Sequence, residues 1–100
     1  MNDNQVTFKG TPTFKHHTDP GHGWIEVPKD LALALGFTKE ISSYSFHDQD
    51  NYYLEEDCDV ELLIAALKNL GHEEFQFDEH HDCRNPNSDS FVRSLASVGR

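Results

Sequence analysis

Residues 60–70, which read VELLIAALKNL, are the longest run of helix-forming residues in the chain, and they constrain the fold most. Their apolar side chains recur at helical spacing and predict a helix over about 59–70. Asp57 or Asp59 is the expected N-cap, and Gly71 is the expected left-handed residue at the end. The helix is apolar over so much of its circumference that we expect neighbours on two sides. Its expected core stripe consists of Val60, Leu63, Ile64, Leu67 and Leu70.

Short alternating segments around this helix predict β-strands. Two of them flank the polar residues 48–51 and predict a hairpin, while Pro20 and Gly21 predict a type II turn with positive φ at the glycine. A second, short helix is expected over about 28–35, with proline in its first turn and Gly36 as its cap. The strands are expected at 5–9, 13–17, 24–27, 41–47, 52–55 and 75–77.

These elements predict one small α+β domain, because a chain of 100 residues rarely divides into two cores. The expected architecture is an antiparallel sheet of hairpins with the long helix laid across one face. Residues 1–4 are predicted to be frayed. Residues 84–100 are predicted to form a mobile tail, or one last amphipathic turn over residues 91–98.

Acidic residues are concentrated in the middle of the chain. Residues 40–83 contain thirteen acids and one base, Lys68, whereas the remaining residues contain five acids and seven bases. Carboxylates near a helix N-terminus stabilise the helix by about 0.3–1 kcal/mol each, which explains only some of them. The others form either a solvated face or a binding face. The predicted partner-binding residues are Asp48, Asp50, Tyr52, Glu55, Glu56, Asp57, Asp59, Glu61, Glu73 and Glu74.

The formal charge of −10 disfavours direct binding to nucleic acid or to anionic lipid. No apolar run reaches 18 residues and the N-terminus has no signal-peptide pattern, so we expect a cytoplasmic protein that does not enter membranes. In that compartment, Cys58 and Cys83 are expected to be free thiols. Cys58 is a poor candidate for a catalytic nucleophile because Asp57 and Asp59 raise the pKa of its thiol, and Cys83, among histidines in a loop, is only a slightly better one. We expect no enzymatic activity and no cofactor.

Histidines offer an alternative hypothesis, in which the chain binds a metal ion. His22, His80 and His81 are the candidate ligands, provided that the first and last strands are neighbours. The sequence has none of the cysteine or histidine spacings that identify zinc sites. The alternative to a metal site is a set of exposed histidines on strands.

Three stretches resemble short uncharacterised proteins of bacteriophages and bacterial mobile elements. They are DPGHGW at residues 19–24, ISSYS at 41–45 and YLEEDCD at 53–59. The resemblance implies a bacterial cytoplasm and an accessory role of phage type, without any activity to transfer. Small acidic proteins of this origin include inhibitors of host defence.

The leading hypothesis from the sequence is a non-enzymatic binding protein, an anti-CRISPR candidate that inhibits a nucleic-acid-handling defence complex of the host. Its carboxylates would mimic phosphates and dock on a basic protein surface. The alternatives are the histidine metal site and a subunit that self-associates through Trp24 and a sheet edge. The sequence leaves the oligomeric state open.

Overall fold

The structure is a computed structural model that describes residue 8, residues 10–81 and residues 90–99, with only the backbone at residue 81. The expected strand at 5–9, the frayed residues 1–4 and Cys83 lie almost entirely outside these ranges. The elements are β1 (Thr13–Thr18), β2 (Gly23–Pro28), α1 (Lys29–Leu35), a 3₁₀ turn (Thr38–Glu40), β3 (Phe46–His47), β4 (Asn51–Glu55), α2 (Val60–Asn69), β5 (Gln76–His81), a second 3₁₀ turn (Phe91–Ser94) and β6 (Ala96–Ser97).

The six strands form one sheet in the order β5-β1-β2-β4-β3-β6. Four of its five pairings are antiparallel, which confirms the α+β fold with a mostly antiparallel sheet. The fifth pairing differs from the expectation, because β5 lies parallel to β1 and pairs Thr13 with Gln76. A parallel pair needs a long crossover connection, and the chain between β1 and β5, which includes both helices, provides it.

One face of the sheet packs against both helices. Alternation along β2 places Ile25 and Val27 on this face, and α2 contributes Leu63 and Leu67, all four being almost fully buried. Leu70 differs from the expectation: it is 40% exposed and follows the helix instead of extending its core stripe. The helix packs its buried stripe against the sheet and also contacts α1, so it has the neighbours on two sides that the sequence predicts, while Ala65 is exposed.

Glycine ends both helices as the sequence predicts. Gly36 has φ of 85° and its N–H donates to the carbonyls of Ala32 and Leu33, while Gly71 has φ of 88° after α2. Only glycine adopts such values without strain. The predicted side-chain cap at the start of α2 is wrong, because Asp59 precedes the helix but its carboxylate makes no capping hydrogen bond.

The expected strand over residues 41–47 is reduced to Phe46–His47. Residues 38–45 form a 3₁₀ turn and a bend instead, in which Ser42 donates from both its N–H and its hydroxyl to the Asp59 carboxylate. These side-chain contacts compete with pairing in a ladder. Tyr44 consequently does not share a strand face with Phe46, and 68% of its surface is exposed.

The second face of the sheet carries a smaller cluster of Trp24, Tyr53 and Val92. Val92 belongs to the C-terminal 3₁₀ turn and is fully buried. The turn at Phe91–Ser94 thus covers this face, in line with the last turn that the sequence offered as the alternative to a tail, and Ala96–Ser97 joins the sheet beside β3; residues 84–89 and 100 lie outside the described ranges. No helix in the described ranges is long and apolar enough to cross a membrane.

Gly23 lies where β1, β2 and the end of β4 approach one another. Its carbonyl accepts from the N–H of Glu56 at 3.0 Å, and a Cβ atom at this position would overlap with the Glu56 carboxylate and the His16 ring. Those two side chains are hydrogen-bonded to each other at 3.0 Å. The φ of Gly23 is not positive, so an alanine here would displace these two side-chain ends and would not strain the backbone.

Gly23→Ala is expected to lower the free energy of unfolding by about 1–2 kcal/mol, because the new methyl group separates His16 from Glu56. Chemical denaturation followed by circular dichroism measures the loss. The control repeats the substitution in a Glu56→Ala background, where the obstructing carboxylate is absent and the loss should shrink. An equal loss in both backgrounds would show that the clash is not its cause.

Candidate metal and ligand site

A pocket of about 380 Å³ lies on the second face of the sheet, where β2 begins and β4 ends. We call it the Trp24 pocket, and most of its exposed lining is apolar. Its volume falls within the range of about 300–1,000 Å³ that is typical of small-molecule sites. The residues that define it are His22, Trp24, Tyr44, Phe46, Glu55 and Asp57.

The turn between β1 and β2 positions His22. One carboxylate oxygen of Asp19 accepts from the N–H groups of Gly21 and His22 at 2.9 and 3.0 Å, and the N–H of Asp19 donates to the His22 carbonyl at 2.9 Å. The aspartate side chain holds the turn, and Gly21 does not have positive φ, so the predicted type II turn is wrong. Asx turns of this kind tolerate ordinary φ values.

The register of the sheet positions Glu55. This residue pairs with Trp24 across β2 and β4, so both side chains project from the second face. Its N–H donates to the Ser45 hydroxyl at 2.9 Å, and its Oε1 accepts from the N–H of Asp57 at 2.8 Å. Only 7% of the Glu55 side chain is exposed. Because Oε1 of this buried carboxylate is held by a hydrogen bond, the position of its other oxygen, Oε2, is also fixed.

That second oxygen, Oε2, lies 3.1 Å from Nδ1 of His22. Asp57, exposed in the turn after β4, completes a group in which the three possible ligand atoms lie within 4.8 Å of one another. Within the described ranges no other set of three or more histidine, cysteine or acidic side chains is grouped in this way. The site therefore combines one imidazole nitrogen with two carboxylates.

The C-terminal segment closes the pocket on one side. The Arg93 guanidinium lies 5.2 Å from the centre of the Trp24 ring and donates to both oxygens of Asp19, at 2.6 and 3.1 Å. Its hydrogen bonds hold the pKa of Asp19 well below the ordinary value. The indole N–H of Trp24 is buried and, among the described residues, has no acceptor.

Cys58 also lines the pocket. Desolvation raises the pKa of its thiol above the ordinary value, and a hydrogen bond to Glu55 and the neighbouring carboxylates raise it further. The thiol is therefore a poor nucleophile at neutral pH. This agrees with the pKa direction expected from Asp57 and Asp59.

The predicted acidic residues do not form one shared patch. Asp48 and Asp50 lie at one end of β4, and Glu55 lies at the other, about 13 Å away along the strand. Glu73 precedes β5, about 14 Å from β4 across three strand spacings. These separations exceed the Debye length of about 8 Å. The acids thus occupy separate places: Asp48 with Asp50, then Glu55 with Glu56, Asp57 and Asp59, then Glu61 on α2, and finally Glu73 with Glu74.

Several of these side chains are already engaged within the fold. Asp59 is buried and accepts three hydrogen bonds from serines, and Asp48 accepts from the Tyr53 hydroxyl at 2.7 Å. Tyr52 packs against the helical core beneath the Lys29 ammonium group. The residues of the set that remain exposed are Asp50, Asp57, Glu61, Glu73 and Glu74, with Glu56 partly so.

β1 and β5 are neighbours, as the histidine hypothesis required, but among the described side chains the predicted ligands His22 and His80 do not belong to one group. His22 lies beside β4, whereas His80 is on the edge strand β5, and β1 and β2 lie between these two strands. The ring of His80 lies 6.0 Å from the ring of His17. The side chain of His81 lies outside the described part of the chain. His22 instead joins Glu55 and Asp57, two residues that the sequence assigned to a protein-docking face.

Comparisons with protein-family models, with curated proteins and with solved structures gave no match. The resemblance to phage-type proteins therefore stays a prediction. The three stretches on which it depends nevertheless meet in space, because residues 19–24, 41–45 and 53–59 each contribute to the Trp24 pocket.

Sequence reasoning missed the two residues that tie the pocket together, Asp19 and Arg93. Aspartate before Pro-Gly is a signal for a side-chain-stabilised turn, so Asp19 could have been found. Arg93 has no such local signal, since its partner is 74 residues away.

Proposed function

We propose that this chain is a non-enzymatic binding protein that holds a divalent metal ion on His22, Glu55 and Asp57. The observation that supports the proposal is the grouping of their ligand atoms within 4.8 Å, at the rim of an apolar pocket. One imidazole and two carboxylates are donors that suit zinc and similar divalent ions.

The distances fit a single ion after a small adjustment. Two donors bound at about 2.0–2.2 Å lie at most about 4.4 Å apart. The 3.1 Å between His22 Nδ1 and Glu55 Oε2 is already within that limit. Asp57 is exposed, and rotation of its side chain brings its carboxylate closer by the remaining fraction of an ångström. The ion replaces the hydrogen bond between His22 and Glu55.

The surroundings orient two of the donors. The N–H of Asp57 holds Oε1 of Glu55, which leaves Oε2 for the ion, and the Asp19 turn holds the backbone of His22. Such outer contacts typically change metal affinity by about 10–100-fold when they are removed. Burial of Glu55 also favours the proposal, because a cation offsets the cost of a buried carboxylate.

Docking on a basic host surface through phosphate mimicry has less support. Mimicry needs a row of carboxylates along one face, and the described acids lie in separate places with Asp59 and Glu55 buried. The pocket brings His22, from the metal hypothesis, together with Glu55 and Asp57, from the acidic-face hypothesis. We therefore prefer the metal-binding function.

Titration of the untagged chain with Zn²⁺ in a calorimeter, near neutral pH, is expected to show one ion per chain. His22→Ala and Asp57→Asn should each weaken binding by more than about 100-fold, because each removes one of three direct ligands, and loss of an outer contact alone typically costs about 10–100-fold. Affinity should also fall in acid, since a protonated imidazole does not bind the ion. Elemental analysis after dialysis provides an independent measurement.

The matched controls are His80→Ala, which removes a histidine of the alternative site, and Asp50→Asn, which removes an exposed acid at the other end of β4. Both should bind zinc as the wild type does, with circular dichroism confirming that every variant is folded. The proposal is wrong if zinc does not bind, or if His22→Ala and Asp57→Asn bind it unchanged.

A further inference from the structure

The three ligands leave the ion open toward the Trp24 pocket. His22, Glu55 and Asp57 all line this cavity, so an ion on them faces its interior. Three protein ligands with a free fourth position are the arrangement of sites at which zinc takes an exchangeable ligand. The remaining coordination position is therefore filled by something in the pocket.

The walls indicate the shape of that ligand. Trp24, Tyr44 and Phe46 supply aromatic surface around the cavity, whose volume of about 380 Å³ exceeds what a few water molecules need. Tyr44 is the most exposed of the three, at 68%, and is not covered by the described part of the chain. Apolar walls with few polar groups bind the apolar body of a small organic molecule.

The charges indicate its polar group. Without an ion, the rim has the carboxylates of Glu55 and Asp57, and the Arg93 guanidinium is engaged by Asp19. This rim repels anions. A divalent ion offsets both carboxylates and provides a Lewis-acidic position, so the same pocket then accepts an anionic oxygen.

Trp24 gives independent support. Its indole N–H is buried in the wall and lacks an acceptor among the described residues, an arrangement that is destabilising. A ligand oxygen that reaches this N–H after a small shift of the ring would satisfy it. An unpartnered donor beside the metal ligands points to an occupant that contains acceptor oxygens.

We infer that the Trp24 pocket binds a small organic carboxylate with an aromatic or branched apolar body, and that it does so only when the metal ion is present. The inference rests on the metal-binding function proposed above. One carboxylate oxygen of the ligand coordinates the ion, and the apolar body lies between Trp24, Tyr44 and Phe46. The ion thereby changes the preference of the pocket from cations to anions.

The chain has a single tryptophan, so its fluorescence reports on the occupancy of the pocket. Phenylacetate is the probe, and acetate and benzylamine are its controls for the apolar body and for charge. Zinc-loaded protein should bind phenylacetate at least about tenfold more tightly than metal-free protein, which corresponds to about 1.4 kcal/mol. Acetate should bind more weakly than phenylacetate, and benzylamine should prefer the metal-free form.

Tyr44→Ala separates the two proposals, because it removes an exposed wall and no ligand of the ion. It should retain zinc and lose several-fold in phenylacetate affinity. Zinc content is measured in the same samples. If zinc is bound but phenylacetate binds equally to both forms, or no better than acetate, the ligand inference is wrong while metal binding stands. If zinc is absent from the wild type, both are wrong.

Discussion

Asp19→Ala is expected to lower the free energy of unfolding by about 2–4 kcal/mol, because it removes the buried acceptor of three backbone N–H groups, whereas the Arg93 side chain is 34% exposed and can be solvated. Only 1% of the Asp19 side chain is exposed. Its carboxylate accepts from the backbone N–H groups of Gly21, His22 and Ser90 and from two nitrogens of Arg93. The substitution releases both the β1–β2 turn and the C-terminal segment. Denaturant unfolding followed by fluorescence and circular dichroism measures the loss.

The pH dependence provides a second measurement of the same interaction. The hydrogen bonds from Arg93 lower the pKa of Asp19 in the folded state, so its contribution is complete above the unfolded value of about 3.9. That contribution is lost as the pH falls below 4 toward the folded pKa. Asp19→Asn should therefore be less stable at neutral pH and lose less stability on acidification than the wild type.

Asp30→Asn is the matched control, because Asp30 is an exposed acid in the first turn of α1. This substitution should change the free energy of unfolding by no more than about 0.3–1 kcal/mol, which is typical of a charge near a helix end. If Asp19 and Asp30 variants lose similar stability, the buried carboxylate does not hold the C-terminal segment in place.

Asp59→Ala is expected to cost about 2–4 kcal/mol, since two serines lose the acceptor that orders them. The carboxylate is buried and accepts from the N–H and hydroxyl of Ser42 at 2.9 and 2.8 Å and from the Ser45 hydroxyl at 2.5 Å. Ser45 in turn accepts from the N–H of Glu55. The loss should therefore extend to the proposed metal site, so Asp59→Ala should weaken zinc binding as well as stability.

Glu61→Gln is the control for this variant, since Glu61 is an exposed acid in the first turn of α2. Removing its charge should change stability by less than about 1 kcal/mol. Equal losses for Asp59 and Glu61 variants would indicate that both act only through the helix dipole. Ser45→Ala tests the same network from the other side and should also be destabilising.

The helices were predictable because their signals are local. Helix-forming residues run between an acid and a glycine in α2, and between Pro28 and Gly36 in α1, and both helices form as expected with glycine at their ends. The hairpin between β3 and β4 was found for the same reason, from the polar residues 48–51. Its first strand is shorter than expected because side-chain contacts from Ser42 to Asp59 interrupt the ladder.

The second face of the sheet was not predictable from local pattern. Val92 is fully buried there because the turn at Phe91–Ser94 folds back over the sheet, whereas the sequence left open whether residues 91–98 form a last amphipathic turn or a mobile tail. Its position depends on the hydrogen bonds from Ser90 and Arg93 to Asp19, far away along the chain. Contacts over such sequence separations leave no periodic signal.

The candidate site was predicted in pieces. His22 was a candidate ligand in the alternative hypothesis, and Glu55 and Asp57 were part of the predicted acidic face, but nothing in the spacing of these residues shows that they meet. They meet because the register of β2 and β4 pairs Trp24 with Glu55, which brings the start of β2 next to the end of β4. A run of acids in the sequence therefore divides in space into an exposed residue, Asp57, and buried ones, Glu55 and Asp59.

The link between Asp19 and Arg93 spans 74 residues, a separation that bears on the order of folding. Contacts of high sequence separation form slowly, because the chain entropy of loop closure is lost before the contact stabilises the molecule. We therefore expect the core between the helices and the sheet to form first, and the contact between Asp19 and Arg93 to form after the rate-limiting step of folding. The contact between Asp19 and Arg93 would then lower the unfolding rate and leave the folding rate almost unchanged.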